Sequence, residues 1–100
     1  MNKGYRISEK AISDLERIWL YTFQKWSKEQ ADRYHNLIIN EIEFIVNNLE
    51  SCRKMDFIRP GYRVSKVKFH LIFFKKAEDS VVEIIRILHQ RMDIENRLKE

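Results

Sequence analysis

The sequence predicts an α+β domain: an N-terminal strand, an antiparallel helical hairpin, and a C-terminal antiparallel sheet on which the hairpin packs. Three observations carry that reading. Apolar residues keep a 3.6-residue period through the first half, short β-rich runs fill the second half, and a stretch without period, holding the single proline, separates the two. One hundred residues with 44% hydrophobic side chains supply one modest core, so residues 1–100 are read as a single domain.

Tyr5-Arg6-Ile7 alternates apolar and polar, the pattern of a short strand. Ser8 can cap a helix by accepting from an otherwise unpaired backbone N–H, so a helix is expected from near Glu9. Ala11, Leu15, Ile18, Trp19, Phe23 and Trp26 then fall on one face of a helical period. Ser27-Lys28-Glu29-Gln30 has the capping-box form, with the serine accepting from the backbone and the glutamine reaching back. It opens a second helix with Ala31, Tyr34, Ile38, Ile42, Ile45 and Leu49 at helical spacing. The short Trp26-Ser27 junction makes the helices antiparallel neighbours, and Trp19, Phe23, Trp26 and Tyr34 are expected in the helix-to-sheet core.

Between Glu50 and Gly61 the period vanishes, and Pro60-Gly61 marks a turn in what is expected to be a loop. Strand-like runs follow at Tyr62 to Val67, Phe69 to Lys75 and Val81 to Leu88. The polar turn Ala77-Glu78-Asp79-Ser80 is short enough to require antiparallel pairing. Phe69, Leu71 and Phe73 alternate with His70, Ile72 and Phe74, so both faces of that run are largely apolar, as in a central strand covered on each side. The tail from Asp93 to Glu100 is expected to make one or two helical turns from an aspartate cap.

Charge is placed unevenly. Residues 1–50 carry 7 basic and 8 acidic side chains, residues 51–100 carry 12 and 7, so the net charge is −1 in the first half and +5 in the second. Clustered positive charge speeds encounter with nucleic acid or an acidic protein. Arg53, Lys54, Arg59, Arg63, Lys66, Lys68, Lys75 and Lys76 form the core of this cluster, opposed over that stretch by Asp56. No run approaches the ~18 apolar residues of a membrane helix, and the N-terminus lacks a secretory h-region, so a soluble cytoplasmic protein without membrane contact is expected.

Several chemistries find no support. His35, His70 and His89 are not at metal-ligand spacing, and Cys52 has no second cysteine, so no metal and no cofactor are expected. Gly4 and Gly61 are too far apart for a phosphate-cradling loop, and no serine sits in a Gly-x-Ser-x-Gly elbow. Leu88-His89-Gln90-Arg91 stands where a strand ends, a common place for site residues.

Longer motifs point to a family. Asp14-Leu15-Glu16-Arg17-Ile18-Trp19 and Trp26-Ser27-Lys28-Glu29-Gln30-Ala31 resemble the hairpin of ParE toxins. Ile58-Arg59-Pro60-Gly61-Tyr62-Arg63, His70-Leu71-Ile72-Phe73-Phe74 and Ile87-Leu88-His89-Gln90-Arg91-Met92-Asp93 resemble further segments of that family, in order, from Tyr5 to Asp93 overall. The resemblance implies a RelE/ParE-superfamily fold, the toxin role in a type II toxin-antitoxin system, inhibition of DNA gyrase without catalysis, and neutralisation by a ParD-like antitoxin. DNA contact would then be indirect, through the gyrase complex. Ser65-Lys66-Val67-Lys68-Phe69 departs from the family, where many relatives carry a proline and a glycine before the histidine, and this puts the hairpin turn in question.

Arg59, Arg63, His89, Gln90 and Arg91 are the expected target-binding residues, because they combine loop or strand-end placement with polarity. Leu15, Trp19 and Phe73 are expected to line a groove between hairpin and sheet that takes an amphipathic antitoxin helix. One alternative is a RelE-like ribosome-dependent mRNA endoribonuclease using Arg59, Arg63, Arg86, His89 and Arg91; another is a basic nucleic-acid-binding module.

Overall fold

The computed structural model describes residues 4–99. In chain order they form β1 (Tyr5–Ile7), α1 (Glu9–Lys25), α2 (Lys28–Asn47), a 3-10 turn (Leu49–Ser51), β2 (Arg53–Lys54), β3 (Arg63–Val67), β4 (His70–Lys76), β5 (Val82–His89) and α3 (Ile94–Lys99). The α+β expectation holds. Met1-Asn2-Lys3, used in reading the N-terminus, and Glu100 of the expected tail helix lie outside the described residues.

The five strands stand in the order β1-β5-β4-β3-β2. β4 is central, with antiparallel neighbours on both sides. β1 adds to the far side of β5 in parallel, Tyr5 to Ile7 opposite Val82 to Ile84. A parallel neighbour needs a long crossover, and the helical hairpin is part of it. The stretch expected to be a loop contains the 3-10 turn and the two-residue β2, which pairs with Arg63 and Val64. At its end Tyr62 N donates to Arg59 O at 3.1 Å, with Pro60 and Gly61 between them and Gly61 at φ +83, the geometry of a turn that needs glycine third. The β3–β4 turn is Lys68-Phe69, with Lys68 at φ 53 in place of the glycine such a turn favours. Phe69 is therefore a turn residue and not the first of the strand.

Both faces of the sheet are covered. Ile72, Phe74, Ile84 and Ile87 pack with Ala11, Leu15, Ile38, Ile42 and Ile45 of the hairpin. Phe73 and Leu88 pack with Leu98 of α3, flanked by Met55, Ile58 and Tyr62. A bulge makes this possible: Phe73 opposes Arg86 but Phe74 opposes Ile84, so Ile85 is extra and the alternation of β5 changes phase.

Ser8 caps α1, accepting from Ala11 N at 3.0 Å, and its hydroxyl donates to Ile85 O at 2.8 Å. The helix start is thereby fastened to β5 just beyond the end of its pairing with β1. Ser27 caps α2 through Gln30 N at 3.1 Å, but the Gln30 side chain does not close a capping box: it accepts from Arg33 at 2.7 Å.

The aromatic core expected of the hairpin is corrected. Phe23 and Trp26 are exposed, Trp26 at 72%, and Trp19 is half-buried with its indole N–H donating to Asp32 and Phe23 stacked on it. Small and aliphatic side chains face the sheet instead; the far half of α1 borders a cleft.

Candidate functional site

One buried ion pair joins the hairpin to the sheet. Asp14 of α1 receives Arg86 Nε at 2.8 Å and Arg86 Nη2 at 3.0 Å, Ile87 N at 2.9 Å, and Arg17 at 2.8 Å. The carboxylate so satisfies an amide on β5 beyond the reach of β1. Arg86 also donates to Arg97 O of α3 at 3.3 Å. This pair forms the floor of a cleft of about 1150 Å³ between the turn end of the hairpin, the β3–β4 turn and the end of β5.

Three ring side chains meet where α2 faces the sheet, His70 and His89 from the strands and Tyr34 from the helix. His70 and His89 are cross-strand partners with rings 5.3 Å apart, edge to face. The Tyr34 hydroxyl lies 2.7 Å from His70 Nδ1 and donates to Val67 O at 3.2 Å. Burial, helped by the nearby His89, pushes His70 down to about 4, so it is neutral at physiological pH. Burial also raises Tyr34. Arg91 N donates to His89 Nδ1 at 3.1 Å, which puts the proton of the neutral ring on Nε2. Phe69 lies nearly parallel to His89 at 6.4 Å.

The remaining lining is apolar and cationic, with Thr22, Gln24 and Gln30 as neutral polar members. Ile18, Leu20, Leu37, Ile87 and Met92 supply the apolar walls, and Arg17, Lys25, Arg33, Lys68 and Arg97 the charge. Asp14, already engaged, is the carboxylate among the lining residues. Such a surface suits an acidic partner that also carries apolar side chains.

The residues expected at the site are only partly gathered there. His89 lines the cleft. Gln90 and Arg91 follow it, exposed, with Gln90 N donating to Phe69 O. Arg59 is committed to α3, donating to Leu98 O and Lys99 O at 3.4 Å each. Arg63 donates to Cys52 O at 2.8 Å and pairs with Glu50 at 3.3 Å. Leu15 and Trp19 border a separate shallow hollow with Ile12, Glu16, Asp32 and His35. Phe73 cannot line any groove: it is 0% exposed in the core beneath α3, because alternation along β4 turns Ile72 and Phe74 toward the hairpin and Phe73 to the opposite face. Sequence reasoning missed Arg17, Arg33, Trp26 and Phe69. The two arginines sit in the half with net negative charge, and the aromatics were assigned to helix core and strand.

Among the described residues, no group of three or more His, Cys, Asp or Glu could hold a metal ion, and no helix is long and apolar enough to cross a membrane.

Residues 5–94 match the family described as ParE toxin of type II toxin-antitoxin system, parDE. The chain belongs to the ParE toxin family. Toxin ParE1 of Mycobacterium tuberculosis is 34% identical over 98 residues, spanning 98% of this chain and 100% of that relative. Toxin ParE1 of Caulobacter vibrioides is 37% identical over 91 residues, spanning 91% and 93%. In fold the chain is similar to a solved chain of a chromosomal ParDE TA system from P. aeruginosa, with a TM-score of 0.71, 18% identity, and coverage of 88% of this chain and 98% of that one. In this ParE-family chain the segments first noticed by resemblance supply Asp14 of the buried ion pair, the histidine pair and the Pro60-Gly61 turn, while Arg86 stands one residue before the last of them.

Proposed function

We propose that this ParE-family chain inhibits DNA gyrase by binding, without catalysis, and that a ParD-like antitoxin neutralises it by seating an acidic amphipathic segment in the cleft. The observation that carries the non-catalytic reading is the commitment of three arginines of the nuclease alternative, Arg59, Arg63 and Arg86. A RelE-like nuclease needs cationic side chains poised to stabilise a phosphoryl-transfer transition state. Here Arg86 is held by Asp14, Arg59 by the end of α3, and Arg63 by Cys52 O and Glu50.

The apolar walls and cationic rim support the antitoxin's place, since a helix with apolar anchors and flanking carboxylates complements both. Gyrase as target rests on family membership.

A supercoiling and cleavage-complex assay with purified toxin, run beside ribosome-dependent mRNA cleavage, tests the reading. Blocked supercoiling with intact RNA, reversed by antitoxin, is the expected result. Cut RNA with unaffected gyrase would overturn it.

A further inference from the structure

We infer that the same cleft takes an unpaired stretch of nucleic-acid strand, and that the antitoxin acts partly by excluding it. The proposal rests on the reading that the toxin works at a DNA-handling enzyme, where melted or cleaved strand is at hand.

Two features recommend this occupant. Cations stand on every side of the opening: Arg17 and Arg33 from the hairpin, Lys68 from the β3–β4 turn, and Arg97 from α3. The charge of Asp14 is offset by Arg86, so Arg17, which also touches it, still adds to the positive charge of the lining. Phosphates spaced along a strand meet such a distributed set, and each contact releases counterions.

Planar groups also stand at the mouth. Trp26 at the hairpin tip is 72% exposed and Phe69 at the turn tip is 61% exposed, and both line the cleft. Phe69 is backed by the parallel His89 ring, so a base stacking on its outer face would extend a stack already begun. Exposed aromatic faces beside a cationic track are the recurring platform for single strands, and they discriminate against a duplex, whose bases are not available for stacking.

The test is fluorescence anisotropy of a labelled short oligothymidylate, and of its duplex with oligoadenylate, titrated with the full chain. The single strand should bind at least tenfold more tightly than the duplex. Its affinity should fall with salt at a log-log slope of about −3, as roughly four phosphate contacts require. Phe69→Ala should weaken it roughly tenfold, Arg33→Glu should flatten the salt slope, and both variants should keep the wild-type circular dichroism spectrum. Added antitoxin should displace the oligonucleotide.

Absence of binding at low salt would overturn the proposal, and so would binding indifferent to Phe69→Ala and Trp26→Ala together. If an acidic amphipathic peptide binds and the oligonucleotide does not, the cleft is a peptide groove only. Gyrase inhibition without oligonucleotide binding would sink this inference and spare the gyrase reading; oligonucleotide binding with gyrase unaffected would do the reverse.

Discussion

Asp14 on the first helix and Arg86 on the last strand hold each other by two hydrogen bonds, at 2.8 and 3.0 Å, with 4% and 5% of their surfaces exposed. Removing one member leaves a buried charge without its partner, which costs about 3–5 kcal/mol. Asp14→Asn is therefore expected to lower the urea midpoint sharply, and more so because the amide cannot accept all four donors. The double change Asp14→Leu with Arg86→Met should recover at least half of that loss, since an apolar pair of similar volume leaves no stranded charge.

His70 couples stability to acid. Its folded value is pushed down to about 4 from an ordinary 6.5, so the unfolded chain binds the proton first as pH falls. Stability linked to this ring is complete above about pH 6.5 and drains away between about 6.5 and 4. Solvent reaching the half-buried ring trims the effect to about 1–2 kcal/mol. Urea titrations from pH 7 to pH 4 should show that extra slope in the wild type and lose it in His70→Gln; equal slopes would refute the assignment.

Lys68 sits at φ 53 at the β3–β4 turn, a backbone region that costs a side-chain-bearing residue about 1 kcal/mol. Lys68→Gly should raise the thermal midpoint by a few degrees. A lowered midpoint would mean that Lys68 makes contacts worth more than the relief.

Trp26 and Ile38 should behave oppositely. Ile38 is wholly buried, and Ile38→Ala is expected to cost about 2–5 kcal/mol. Trp26→Ala should leave stability within about 0.5 kcal/mol while weakening antitoxin binding measured by calorimetry.

Arg59 closes the end of α3, which at six residues has too few internal hydrogen bonds to persist alone. Arg59→Ala should speed amide exchange over residues 94–99 and leave that of β4 unchanged. Uniform acceleration across the sheet would show that α3 and the core open together.

The elements were legible because each local signal agrees with the fold. Ser8 and Ser27 cap their helices, the apolar spacing of Ala31, Ile38, Ile42 and Ile45 marks a buried face, and Pro60-Gly61 makes its turn. Two kinds of information were not local. Asp14 and Arg86 are 72 positions apart and look like ordinary surface charges until burial joins them. Trp26 and Phe23 continue the apolar stripe of α1, but periodicity cannot say where the sheet beneath a helix stops. Phe73 shows the same limit: alternation along β4 sets its face, but nothing local says that α3 closes over the face opposite the hairpin.

The parallel pairing of β1 with β5 has a consequence for synthesis. Residues 5–7 are synthesised well before their partners at 82–84, and Asp14 is made 72 positions before the arginine it binds. Until then the hairpin has no opposing wall, and the cleft does not exist. A surface wired this way cannot be presented by the hairpin alone, because it is shared between helices near one end of the sequence and a strand some seventy residues later.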